Sequence, residues 1–146
     1  MSTGVRELKL WQEAVALGGE VTRLMRQSCR RETRAFTDQI VCTALAIATS
    51  VADGYARPAT TDQRDCYRRA KRFLGELETQ LAVARHADLI SPAAHAQVTL
   101  RVGAVARLLS GYLAFIERQL VTESPATALQ GGTGRVEHDR TGRLSP

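Results

Sequence analysis

The sequence predicts an all-α protein, an up-down-up-down antiparallel four-helix bundle, and three observations carry that prediction. Apolar residues make up 44% of the 146-residue chain while aromatics make up only 5%, and the apolar share leans on Ala, Leu and Val. Ala and Leu are good helix formers, whereas strands prefer β-branched and aromatic residues. Four segments repeat apolar residues at helical spacing, and short connectors between long helices favour antiparallel neighbours.

The first segment carries Leu10, Ala14, Leu17, Val21 and Leu24 at alternating steps of four and three, with Leu8, Trp11 and Val15 widening the face. Gly18 and Gly19 weaken it by about 1 kcal/mol each against Ala, so it needs tertiary packing or the close approach of a neighbour. Trp11 reads as a core or interface anchor rather than a base-stacking platform. Cys29 to Arg34 is a charged connector.

The second segment, from about Thr37 to Asp53, has Ile40, Ala44, Ile47 and Val51 on one line and Val41, Leu45, Ala48 and Ala52 on another. A small bundle buries one stripe of each helix. The second stripe therefore predicts a subunit interface and a homo-oligomer. Gly54, Arg57 and Pro58 break the pattern, with Gly54 suited to a positive φ at a corner and Tyr55 to packing with its hydroxyl wet.

Thr60 to Gln63 offers a capping box for a third helix that runs to about Asp88, with Tyr67, Ala70, Leu74, Leu77, Leu81 and Ala84 at bundle spacing. Ser91 as N-cap and Pro92 at the first helical position start the fourth. Its inner face reads Val98, Val102, Val105, Leu109, Tyr112, Ile116 and Leu120. Beyond Val121 the residues turn to Ser, Pro, Thr and Gly without periodicity, so the expected organisation is a bundle domain over 1–121 and a flexible tail over 122–146.

The formal charge is +5. In the tail, Arg135, Arg140 and Arg143 balance Glu123, Glu137 and Asp139, so the folded body carries the whole excess. A basic body attracts nucleic acid or an acidic protein surface, although an excess of this size is common in inert proteins too. Cys29, Cys42 and Cys66 form no C-x-x-C pair, which suits reduced thiols in the cytoplasm. No signal peptide is visible at the N-terminus, and the least charged stretch, Ile40 to Ala52, is too short to span a bilayer.

Two clusters are the functional candidates. Arg57, Arg64, Arg68, Arg69, Lys71 and Arg72 are accompanied only by Asp62 and Asp65, and Arg64, Arg68 and Arg72 share one helix face. Arg23, Arg26, Arg30, Arg31 and Arg34 form the second. Guanidinium groups hold phosphate oxygens bidentately without reading sequence. The competing reading of each cluster is a solvated face paired with acids of a neighbouring helix.

The remaining polar residues suggest no catalytic site, metal or cofactor. Glu76 and Glu78 lie two apart on a helix and point about 200° away from each other, so they do not converge on one substrate. His86, His95 and His138 have no i, i+4 pairing and read as surface residues. The cysteines lack a partner histidine at a telling spacing and read as small buried hydrophobes.

Four motifs in register resemble the family of four-helix bundles encoded in intervening sequences of bacterial 23S ribosomal RNA genes. They are Arg6-Glu7-Leu8-Lys9-Leu10-Trp11-Gln12, Asp38-Gln39-Ile40, Val51 to Arg57 and Glu76-Leu77-Glu78-Thr79-Gln80-Leu81, spread over roughly Val5 to Leu120. The resemblance implies a cytosolic bundle that assembles as a ring, typically a homopentamer, with no enzymatic activity. It also implies that RNA or DNA, or a nucleic-acid-handling protein, is the partner, since distant relatives serve retroelement reverse transcriptases. The alternative is a protein-interaction or scaffolding bundle without a nucleic-acid ligand. Val41 after Gln39-Ile40, Ala48-Thr49-Ser50 in the second helix, Asp53 before the corner Gly and Phe73-Leu74-Gly75 depart from the family pattern and mark a divergent member.

Overall fold

The computed structural model describes residues 4–131, and within them the secondary structure is entirely helical. Short 3-10 turns at Val5–Glu7 and Arg31–Thr33 precede the helices α1 (Lys9–Ser28) and α2 (Arg34–Ala56). Then follow α3 (Thr60–His86) and α4 (Pro92–Gly131). Each helix packs on its neighbour in sequence and α1 packs on α4, whereas α1 with α3 and α2 with α4 share no packing among the described residues. That pattern of contacts is compatible with a four-helix bundle, with α2 and α4 across a diagonal.

One line from each helix fills the core. Leu10, Ala14, Leu17, Val21 and Met25 of α1 meet Ile40, Ala44, Ile47 and Val51 of α2. From α3 come Tyr67, Ala70, Leu74, Leu77, Leu81 and Ala84; from α4, Val98, Val102, Val105, Leu109, Leu113 and Ile116. Leu24 and Tyr112, expected on the inner faces, pack only at the rim of this core, and Val15 is exposed. Of the second line of α2, Val41 and Ala48 pack at the rim of the core and Ala52 is half-buried, while Leu45 is 52% exposed. Gly18 faces α2 without a close approach that requires glycine, since a Cβ there would stand 3.9 Å from the Ala44 carbonyl oxygen, an ordinary van der Waals contact.

The helix ends revise several local expectations. Ala59, not Thr60, is the N-cap of α3, and it makes no side-chain cap. Gln63 instead donates from Nε2 to the Arg57 carbonyl oxygen at 2.7 Å. Gly54 does not adopt a positive φ but is part of α2. It is required there by proximity, because a Cβ at this position would lie 3.0 Å from both Cys66 Cβ and Tyr67 Cε1. A non-glycine residue with positive φ stands instead at Asp88, φ 57°, just past α3. The Leu89 N–H bonds the Ala84 carbonyl at 2.9 Å and the Asp88 N–H bonds Arg85 at 3.2 Å, which is a Schellman termination. Ser91 caps α4 as expected, its Oγ accepting from the Ala94 N–H at 3.0 Å.

α4 extends through Gly131 rather than stopping near Val121. The rest of the expected tail, 132–146, lies outside the described residues.

Candidate nucleic-acid interface

The corner between α2 and α3 is built on Asp53. Its carboxylate takes Nε and Nη2 of Arg57, one turn later, at 3.2 and 3.3 Å. It also accepts the Cys66 thiol at 3.4 Å and lies 3.7 Å from Arg69 of α3. The thiol hydrogen bond and then the two arginine charges hold Asp53 below the usual carboxylate range. Burial, reinforced by the same carboxylate, pushes the Cys66 thiol up, so it stays protonated and available as a donor. The Asp53 charge likewise raises Arg57.

This corner accounts for much of the first basic cluster. Arg57 and Arg69 face Asp53, Arg64 pairs with Asp65 at 3.3 Å, and Arg68 reaches Glu117 of α4 at 3.2 Å. Lys71 and Arg72 are exposed and make no ion pair among the described residues. With Asp65 and Arg68 they line a shallow depression of about 620 Å³ on α3. The helix face is therefore cationic but largely paired.

The second cluster has a different character. Arg23 and Arg26 lie in the last two turns of α1, Arg30 and Arg31 in the connector, and Arg34 opens α2. All five are exposed and none forms an ion pair among the described residues. The Thr37 hydroxyl braces the turn, 3.0 Å from the Arg34 carbonyl oxygen and 3.4 Å from Cys29 Sγ. Arg26 and Arg34 flank a groove of about 670 Å³ between α1 and α2, into which Thr22, Cys29 and Cys42 also open. The N-terminal end of the α2 dipole adds to the positive potential there. Since α2 has 23 residues, this cluster and the Arg57 corner stand at opposite ends of a rod about 34 Å long.

The acids and histidines of α3 and α4 are not brought together. Glu76 and Glu78 are exposed on either side of buried Leu77, and Glu76 accepts from Gln80 Nε2 at 3.5 Å. His86 is exposed and His95 half-buried, while His138 lies outside the described residues. Among the described residues no three His, Cys, Asp or Glu side chains come close enough to hold a metal ion. Of the cysteines, only Cys66 is buried; Cys29 and Cys42 are exposed beside the second cluster, contrary to the expected core role.

One charged arrangement was not expected. Arg101 of α4 bonds both Glu20 and Glu13 of α1, the latter at 3.3 Å through Nη1. The seven-residue spacing of the two acids places them on one face of α1, but nothing local in the sequence points to Arg101 as their partner.

A profile of the family described as 23S rRNA-intervening sequence protein matches residues 6–111 of the chain. The match begins with the Arg6 motif and ends at Gly111, so it spans the first three helices and the first half of α4. No curated protein matches the chain.

Proposed function

Because the chain belongs to the 23S rRNA-intervening sequence protein family, we propose that it works without catalysis, as a cytoplasmic homo-oligomeric bundle that engages the phosphate backbone of nucleic acid. The observation that carries this reading is the second cluster: five exposed arginines around one helix junction, with no acid paired to any of them among the described residues. Maintaining such a cluster costs electrostatic self-repulsion, which a polyanion removes. Recognition through guanidinium and phosphate is independent of base sequence. The paired arginines of the α2–α3 corner serve the fold, with Lys71 and Arg72 as a secondary contact.

In this reading the helices run up-down-up-down. The end of α2 at Gly54 lies against Cys66 and Tyr67 near the start of α3, and Arg68 meets Glu117 well along α4. In a ring of such bundles the second cluster recurs once per subunit at one level, giving a circle of cationic sites. The exposed Leu45 on the second line of α2 supports the association of subunits.

Fluorescence anisotropy with a structured RNA and a duplex DNA tests the reading. The wild-type chain binds both with similar affinity, and Arg26→Glu, Arg30→Glu and Arg34→Glu combined in one chain abolishes binding. Equal binding by that variant removes the second cluster from the interface. No binding by the wild type at low salt, with a defined protein retained from nuclease-treated lysate, favours the scaffolding alternative.

A further inference from the structure

α2 and α4 carry more apolar surface than one protomer buries. In the most apolar stretches of Arg31–Ala56 and Pro92–Glu123, 39% and 28% of the residues are buried. Both helices are long and apolar enough to cross a membrane by length and composition, yet each contributes a full line to the bundle core. The surplus lies on their other faces. On α2 it is led by Leu45, 52% exposed, and on α4 by Leu100 and Phe115, 75% and 51% exposed, while Val41, Ala48 and Leu108 beside them also pack on the rim of the protomer's own core. Because α2 and α4 do not pack together, neither face covers the other within a protomer.

The two faces are complementary in shape. α4 has a gap at Gly111, where nothing stands within 4 Å of a Cβ position, and Arg107, Leu108, Tyr112 and Phe115 wall a shallow apolar groove of about 330 Å³ around it. α2 offers a knob, Leu45, flanked by smaller residues at Val41, Ala48 and Ala52.

They are also complementary in charge. If Leu45 sits at Gly111 with the helices parallel, Asp38 comes level with Ala104, seven residues earlier on each helix. Arg107 lies one turn after Ala104, and its side chain leans back toward the N-terminus, over that level. Asp38 and Arg107 are both exposed and neither makes an ion pair among the described residues.

We propose that the subunits associate through a heterologous contact, in which the outer stripe of α2, led by Leu45, seats in the Gly111 groove on α4 of a second copy. This rests on the homo-oligomeric reading above and assigns its surfaces. Since the two surfaces differ and lie on diagonal helices, each subunit uses one and leaves the other for the next. Repetition of that step generates a ring when the rotation between neighbours closes, and not a two-fold dimer.

Light scattering of the full chain at micromolar concentration tests the assignment. The wild type is an oligomer; Leu45→Glu and Phe115→Glu, both at exposed positions, give monomers with unchanged helical circular dichroism. Mixed together, the two variants form a one-to-one dimer and nothing larger, because one retains an intact groove and the other an intact knob. A variant that dimerises alone, a mixture that stays monomeric, or variants that assemble like the wild type overturn the assignment while leaving homo-oligomerisation standing. A monomeric wild type instead removes the homo-oligomeric reading itself. Asp38→Arg and Arg107→Asp each loosen the assembly and together restore it; failure to restore overturns the parallel register.

Discussion

Gly54 and the Tyr67 ring pack so closely that a Cβ at position 54 would lie 3.0 Å from Tyr67 Cε1 and 3.2 Å from Cδ1. Gly54 is helical, so replacing it by Ala gains about 1 kcal/mol of helix propensity. The ring is buried and cannot swing aside, and overpacking of this kind costs about 1–3 kcal/mol. Gly54→Ala is therefore expected to lower stability by about 1 kcal/mol in urea unfolding. Gly75→Ala, on exposed α3 with nothing within 4 Å of its Cβ position, is expected to raise it by about 0.5–1 kcal/mol. Equal effects from the two substitutions would contradict the close contact.

Tyr67 ties stability to alkaline pH. Burial, aided by neighbouring Tyr112, pushes its hydroxyl up to about 12. The folded state keeps the phenol neutral while the unfolded chain ionises it from about pH 10, so stability is fully present below that pH and is lost as pH rises toward 12. Two units correspond to about 2–3 kcal/mol. The urea midpoint of the wild type should fall across this window, and that of Tyr67→Phe should fall less.

Asp53 acts at the opposite end of the scale. Its folded pKa is depressed, so its contribution is present above the ordinary aspartate range and disappears as pH falls below about 4. Asp53→Asn should flatten the acid limb of the stability curve relative to the wild type, and Cys66→Ala should flatten it in part, because the thiol hydrogen bond is the largest cause of the shift. An acid limb that is identical in all three proteins would rule out the Asp53 hub.

Arg101 holds α1 and α4 together through two acids that would otherwise repel each other. The three side chains are partly buried, which raises the worth of the arrangement above that of an exposed pair, to about 1–2 kcal/mol. Arg101→Ala should cost this much, and removing Glu13 and Glu20 as well should recover part of it. A double-mutant cycle with no coupling between Arg101 and Glu20 would deny the clamp.

The lines of apolar residues were legible because burial repeats with the helical period: Ile40, Ala44, Ile47 and Val51 were expected inside and each is fully buried. Where the reading missed, the period is again the reason. An α-helix drifts against steps of four and three, so the line through Leu17 and Val21 continues to Met25 rather than Leu24, and that through Leu109 to Leu113 rather than Tyr112. Gly54 signalled a special backbone, but whether a glycine serves a turn or a close approach depends on which neighbour arrives. The basic clusters were visible as charge; their unequal pairing was not, because Glu117 reaches Arg68 only after α3 and α4 have been rotated against each other.

That inequality yields the sharpest functional prediction. Removing an arginine already held by an acid changes the fold's charge balance, whereas removing an unpaired one deletes a phosphate contact. Arg57→Ala and Arg69→Ala should therefore lower the unfolding midpoint with little effect on nucleic-acid affinity. Arg26→Ala, Arg30→Ala and Arg34→Ala should leave the midpoint nearly unchanged, weaken binding to all sequences alike, and each reduce the salt slope by about 1. If all five arginines of the second cluster contact duplex DNA, the slope of log affinity against log salt is about −4.5, and affinity falls roughly 500-fold between about 50 and 200 mM salt. A slope that is flat, or that responds to Arg57 and Arg69 instead, would relocate the interface to the α2–α3 corner or abolish it.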